Sequence, residues 1–125
     1  MTFDTIATRL AIGLFAAASV VFAGGPLRAA DTIRIPVLVP LTGILALEGT
    51  SQRNGAVLAL DEGVPNLQII RDVADTAAAP EIAVNALERA LSEPNVVAVA
   101  ASIFGTQMLA MMPIAAERKV PLVTI

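Results

Sequence analysis

A short segment in the last third of the chain carries residue types suited to holding a small anion. It reads ASIFGTQ over residues 101–107, with hydroxyl groups at Ser102 and Thr106 and a glycine at Gly105. Glycine lets a backbone approach a ligand closely, and the amides of a helix N-terminus attract a carboxylate or a phosphate. The plainer interpretation is that Thr106 caps a helix and Gly105 makes a turn.

Acidic residues at Glu48, Asp72 and Asp75 raise the question of a metal site. Their spacing matches no metal-binding pattern, and solvated loop acids or charges at helix ends explain them more simply. We predict that the protein binds no metal and no cofactor.

Nucleotide binding and catalysis are both unsupported by the residues. The glycines after the first apolar run stand six residues apart, whereas a dinucleotide fingerprint needs Gly-x-Gly-x-x-Gly, and there is no Gly-Lys-Ser/Thr triplet. The chain has no His and no Cys, the commonest bases and nucleophiles, so we predict that it is not an enzyme. Its net charge is −3 and it has no basic stripe, which argues against nucleic acid as a partner.

The elements that would position these residues alternate along the chain. Apolar runs and helical periodicity predict an α/β fold with a doubly wound parallel sheet, because strands and helices alternate with short connections. The predicted strands cover 33–40, 67–72, 95–102 and 120–125, and the predicted helices cover 49–62, 80–92 and 106–118.

Details of the helices follow from the same patterns. Thr50 or Ser51 is a plausible cap for the first helix, in which Gln52 and Arg53 are predicted to face away from the sheet. In the third helix, Met111 and Met112 with Met108 and Leu109 are most simply core, and Pro113 is expected to kink the helix.

The predicted site lies where parallel strands end. Ligands of open parallel sheets bind beyond the carboxyl ends of the strands. The segments 40–50, 72–79 and 101–107 are expected to meet at that edge, and each leads into a helix N-terminus.

Residues 1–30 have the composition of a secretory signal peptide. The uncharged stretch 10–24 follows Arg9 and leads to small residues, and we favour cleavage near Ala29–Ala30. Such a signal peptide is expected to direct the protein to the bacterial periplasm or the cell surface. The alternative is an uncleaved anchor, although the stretch is short for a bilayer that needs about 20 residues.

Four segments together resemble a known family. They are IPVLVPLTGILALEG, NGAVLALDEG, AVNALERAL and VVAVAASIFGTQMLAMMPIAAERKVPLVTI, in that order, from about Ile33 to Ile125. Their order and spacing resemble type I periplasmic binding proteins, in particular the leucine/isoleucine/valine-binding group that serves ABC importers. The resemblance implies a two-lobe protein that traps a small ligand, of which residues 31–125 are the beginning of the first lobe.

The resemblance also implies site residues. The turn that binds the ligand's carboxylate in the family matches Phe104, Gly105 and Thr106, of which only Thr106 keeps a hydroxyl. A residue of the first loop that reaches the family's cleft matches Glu48, where aromatic or small residues are usual. A carboxylate there suits a ligand ammonium or a different ligand class.

The expected function is that of an exported solute-binding protein. It would bind an amino acid or a related small carboxylate without covalent chemistry and deliver it to the membrane subunits of an ABC permease. The alternative within the same fold is the extracellular sensing domain of a signalling receptor.

Overall fold

The structure is a computed structural model, and it describes residues 31–125. The predicted signal peptide, residues 1–30, lies outside the described part of the chain. The described residues form six strands and three helices. The strands are β1 (Asp31–Arg34), β2 (Val37–Val39), β3 (Leu67–Ile70), β4 (Val73–Asp75), β5 (Val99–Ala101) and β6 (Leu122–Thr124), and the helices are α1 (Ala46–Glu62), α2 (Pro80–Leu91) and α3 (Gly105–Arg118).

The strands pair in parallel throughout this region. A four-stranded sheet has the order β4-β2-β5-β6, and β1 pairs with β3 in a separate two-stranded sheet. The sequence predicted single strands over 33–40 and 67–72, and the structure divides each of them in two. Pro36 lies at the first division, where it has no N–H to donate to a ladder.

Helices cover both faces of the four-stranded sheet. Val37 and Val39 of β2 face α1, where Ala56 and Leu60 pack against them. Leu38 points to the opposite face and joins a core formed with α2 and α3. Successive side chains of a strand alternate between faces, so a short apolar strand serves two cores. The prediction of a doubly wound parallel α/β fold is confirmed.

The helix starts differ from the predictions at two of three places. Helix α2 begins at Pro80 as expected, because proline suits the first helical position. Helix α1 begins at Ala46, and Ser51 lies inside it, where its hydroxyl donates to the carbonyl of Leu47. Helix α3 begins at Gly105, so Thr106 is not its cap. The expected caps at Thr50 or Ser51 and at Thr106 are therefore wrong.

Helix α3 buries only part of its predicted apolar face. Met111 is fully buried and Met108 packs against the same core, whereas Leu109 and Met112 are exposed. The core prediction is thus confirmed for two of these side chains and wrong for the other two. No helix within residues 31–125 is both long and apolar enough to cross a membrane.

Candidate functional site

The carboxyl ends of the central strands lie side by side, as the sequence predicted. The Thr76 amide, just after β4, donates to the carbonyl of Val39 at 3.0 Å, and the Ser102 amide, just after β5, donates to that of Leu38 at 3.0 Å. The loops after β4 and β5 therefore flank the loop after β2. We call residues 40–45, 76–79 and 102–106, together with the ends of the strands and the first turns of the helices that adjoin them, the carboxyl edge, and the side where β2 and β4 begin the amino edge.

The carboxyl edge collects the buried polar side chains. Among the described residues, the fully buried polar side chains are those of Thr76, Ser102 and Gln107. Thr76 follows β4, Ser102 follows β5, and Gln107 lies in the first turn of α3. Burying polar groups costs free energy unless they are bonded, so their concentration at one edge marks it as the polar end of the lobe.

Asp75 holds two loops of the carboxyl edge together. Its Oδ1 accepts hydrogen bonds from the amides of Leu41 at 2.7 Å, Thr42 at 3.3 Å and Ala77 at 2.7 Å. Its Oδ2 accepts one from the Thr42 hydroxyl at 2.6 Å. One carboxylate thereby joins the loop after β2 to the turn after β4.

These bonds determine the ionisation of Asp75. Burial works to raise its pKa, but the hydrogen bonds from the Thr42 hydroxyl and from the amides of Ala77, Leu41 and Thr42 outweigh burial. The pKa therefore lies below its usual value, as expected for a carboxylate that accepts several N–H and O–H bonds. Asp75 is a structural anion and not the solvated loop acid that the sequence suggested.

The turn that Asp75 anchors has unusual backbone conformations. Ala77 and Ala78 have φ angles of 47° and 56°. Non-glycine residues rarely adopt this left-handed region, which costs on the order of 1 kcal/mol or more each and is concentrated at functional sites. The bond from the Ala77 amide to Asp75 helps to hold this conformation.

Gly43 of the first loop and Gly49 of α1 are each required by the structure, for different reasons. Gly43 has a φ of 81°, which favours glycine. Gly49 lies where α1 touches the end of β2, since an added Cβ would stand 1.7 Å from the carbonyl oxygen of Pro40. Helix α1 can approach the carboxyl edge this closely only because residue 49 has no side chain.

Ser102 is tied to α1 by its side chain. Its hydroxyl donates to Oε1 of Gln52 at 2.9 Å. The prediction that Gln52 faces away from the sheet is therefore wrong. The available signal was its spacing, because Gln52 follows Gly49 by three residues and precedes Ala56 by four, which puts all three on one helical face.

Phe104, Gly105 and Thr106 form the start of α3 at the carboxyl edge. Phe104 is half-buried, and Gly105 and Thr106 are exposed. The amides of Gly105 and Thr106 belong to the first turn, where helical N–H groups have no intrahelical acceptor. Apart from its chain neighbours and the backbone of α3 itself, no atom lies within 4 Å of the place where a Cβ on Gly105 would lie, so there is open space beside the start of α3.

Glu48 lies in the first turn of α1 and is exposed. It precedes Gln52 by four residues, so the two side chains lie on the same face about 6 Å apart along the axis. Because Gln52 meets Ser102, this face of α1 looks toward the carboxyl edge. Within the described residues Glu48 has no hydrogen bond or ion pair to another side chain.

The basic side chains are concentrated away from the carboxyl edge. Residues 31–125 contain six of them, and Arg53, in the second turn of α1, is bonded to Asn54. The other five lie before β2 and β4, in the last turn of α2, or at the end of α3, namely Arg34, Arg71, Arg89, Arg118 and Lys119. At the carboxyl edge, positive potential therefore comes from helix N-termini.

A cavity of about 350 Å³ lies at the amino edge instead. Arg34 forms ion pairs there with Asp72 and with Glu93. The two basic and two acidic side chains that line the cavity balance in charge. The cavity is also remote from the strand ends, where open parallel sheets bind ligands. No group of three or more acidic residues within residues 31–125 is placed to hold a metal ion.

This arrangement, a doubly wound parallel sheet with polar loops and helix N-termini at its strand ends, is typical of α/β proteins that bind ligands at the carboxyl ends of their strands. The chain belongs to the periplasmic binding protein family, whose sequence profile matches residues 32–125. The family consists of binding proteins and not of enzymes. A comparison with curated proteins gives no match.

Solved structures support the same assignment. A leucine binding protein from Thermotoga maritima MSB8 is 32% identical with a TM-score of 0.68, over 74% of this chain and 27% of that one. An ABC transporter substrate-binding protein from Sphaerobacter thermophilus is 26% identical with a TM-score of 0.68, over 75% of this chain and 26% of that one. The predicted resemblance to type I, leucine-binding periplasmic proteins is confirmed.

A third similar structure carries a ligand of another kind. It is a solute binding protein of an ABC transporter from Rhodopseudomonas palustris BisB5 in complex with 3,4-dihydroxybenzoic acid, 26% identical with a TM-score of 0.68, over 75% of this chain and 27% of that one. The present chain thus spans about a quarter of the length of the structures that it matches.

Proposed function

We propose that the chain contributes one wall of the ligand cleft of an ABC-importer solute-binding protein, which binds an amino acid or a related small carboxylate. The observation that carries the proposal is the carboxyl edge. Three strand ends and the N-terminus of α3 meet there, and there is open space beside the start of α3. Membership of the periplasmic binding protein family supports this.

The ligand's carboxylate is assigned to the start of α3. Exposed amides and the helix dipole favour an anion there, and the Thr106 hydroxyl adds a side-chain donor. Phe104 supplies apolar contact beside them. Ser102 precedes this turn, and its hydroxyl donates its hydrogen bond to Gln52.

Glu48 is assigned to a positive group of the ligand. It is exposed and unpaired within the described residues, and it lies on the face of α1 that meets the carboxyl edge. A carboxylate with no basic partner attracts a cation, so an amino acid suits this edge better than a carboxylic acid without an ammonium. A second lobe closing over the cleft would complete the site.

Export and the transport partner belong to the same proposal. Residues 1–30 read as a cleavable signal peptide, which directs the protein to the periplasm, and the membrane subunits of an ABC permease are the expected partners. ABC-transporter binding proteins among the similar structures support this assignment.

A thermal-shift screen of the full chain tests the proposal. Amino acids, with L-leucine first, and aromatic carboxylates such as 3,4-dihydroxybenzoate are added at concentrations far above those of the protein. A ligand present at ten times its dissociation constant stabilises the folded state by about 1.4 kcal/mol, which is several degrees for a domain of this size. Absence of stabilisation by any compound at tens of millimolar contradicts the proposal.

A further inference from the structure

The contact between Ser102 and Gln52 determines which of the two side chains can donate a hydrogen bond to a ligand. Ser102 has one O–H, and it is donated to Oε1 of Gln52. A hydroxyl has a single donor hydrogen, so Ser102 retains only acceptor capacity. A carboxylate accepts hydrogen bonds and needs donors, which Ser102 no longer offers.

Gln52 has the opposite balance. Its side-chain amide carries two N–H donors on Nε2, and no acceptor for them is found among the described residues. The side chain is half-buried, but Nε2 is not one of the buried polar atoms that lack a hydrogen-bond partner. The donor group is therefore accessible, while the carbonyl end of the same amide is fixed.

The orientation of the amide follows from that fixed end. Because Oε1 faces Ser102, the planar amide directs Nε2 away from Ser102. Ser102 is fully buried and its hydroxyl is bonded to Gln52, whereas Nε2 of Gln52 is not a buried unpaired atom, so Nε2 is on the more exposed side of this contact. This bond already restricts the side chain of Gln52, which lowers the entropic cost of using Nε2 for binding.

The position of Gln52 places this donor beside the proposed ligand groups. It lies one helical turn after Glu48 on the same face of α1. Its partner Ser102 lies three residues before Gly105, whose amide opens α3. Gln52 therefore follows, by one helical turn, the residue assigned to the ligand's positive group, and it contacts the segment that leads to the turn assigned to the ligand's carboxylate.

We propose that Gln52 is a specificity-determining residue of the cleft, whose Nε2 donates to an oxygen acceptor of the ligand, and that Ser102 is the positioning residue that aims it. This inference rests on the proposed function. It gives the edge a neutral donor on α1, which favours a carboxylate or hydroxyl oxygen over an apolar group at that place.

The experiment is an NMR titration of the ¹⁵N-labelled 125-residue chain with 3,4-dihydroxybenzoate and, separately, L-leucine. The expected result is that a bound probe shifts both the Gln52 side-chain NH₂ signals and the backbone amides of Gly105 and Thr106. The Asn85 side-chain NH₂, exposed on α2, is the internal control and should not move.

Variants separate ligand contact from a structural role. Q52E keeps an oxygen that accepts the Ser102 hydrogen bond but removes the donor, so affinity for 3,4-dihydroxybenzoate should fall about tenfold or more. N54D adds the same charge to an exposed position of the same helix and should leave affinity unchanged. S102A keeps the donor and loses its aim, so its effect should be smaller than that of Q52E.

The outcomes distinguish this inference from the proposed function. If Gly105 and Thr106 shift but the Gln52 side chain does not, or if Q52E binds 3,4-dihydroxybenzoate as wild type does, the role of Gln52 is refuted while the proposed function stands. If neither probe shifts any amide of the carboxyl edge, both are refuted.

Discussion

Replacing Gly49 by alanine should destabilise the protein, whereas the same change at Gly55 should stabilise it. Both glycines lie inside α1. An added Cβ at Gly49 would stand 1.7 Å from the oxygen, 2.6 Å from the carbonyl carbon and 2.9 Å from Cδ of Pro40. An added Cβ at Gly55 meets nothing within 4 Å.

The magnitudes follow from the two environments. Ordinary carbon contacts need about 3.5–4.0 Å, so α1 must move away from the end of β2 in Gly49→Ala. Overpacking of this kind costs about 1–3 kcal/mol, which exceeds the gain of about 1 kcal/mol from replacing glycine by alanine in a helix. Gly55→Ala receives only that gain, so the two variants should differ by about 1–3 kcal/mol in the free energy of unfolding.

Urea denaturation followed by circular dichroism measures the difference. The midpoint of Gly49→Ala should lie below that of wild type, and the midpoint of Gly55→Ala should lie above it. Equal midpoints for the two variants would refute the close approach of α1 to Pro40. Ligand binding should also be weaker in Gly49→Ala but not in Gly55→Ala, because the displaced helix carries Glu48 and Gln52.

Three further predictions concern side chains of the carboxyl edge. Asp75→Asn should lower the free energy of unfolding by about 1–3 kcal/mol at neutral pH. Because the folded pKa of Asp75 lies below the ordinary value of 3.8, its contribution is complete above that value and is lost as pH falls through the folded pKa; denaturation curves whose wild-type advantage does not shrink in acid would contradict this. Thr106→Ala should weaken binding of L-leucine about fivefold or more by NMR titration, and unchanged affinity would remove Thr106 from the site. Glu48→Gln should weaken the binding of L-leucine more than the binding of 3,4-dihydroxybenzoate, whereas the control Glu88→Gln on α2 should change neither affinity. Equal effects of the two variants on the two affinities would contradict the role of Glu48.

The sheet and its connections were predictable from the sequence because their signals are local. A short apolar strand such as Val37–Val39 must be buried on both faces, and the helical stripe around Leu87 shows which face α2 turns inward. The divisions of the first two strands were missed, although Pro36 is a local reason for the first. The candidate site was predicted from the rule that ligands bind at the carboxyl ends of parallel strands, and the structure brings those strand ends together as expected.

The contacts within the site were not predictable from local patterns. Asp75 bonds Thr42 across 33 residues, and Ser102 bonds Gln52 across 50. The helix was predicted to begin at Gly49, whereas it begins at Ala46. Because of this error, neither the contact of Gly49 with Pro40 nor the inward orientation of Gln52 was predicted. Such contacts depend on how α1 sits on the sheet, which periodicity alone does not determine.

The most direct test of the account is a map of amide shifts over the 125-residue chain during titration with L-leucine. The shifts should concentrate at residues 41–43, 76–78 and 103–106, the three segments that meet at the carboxyl edge. The amide signals of residues around Arg34 and Arg89, which line the cavity at the amino edge, should not shift. Shifts confined to that cavity would contradict the central claim that the strand ends form the ligand-binding wall.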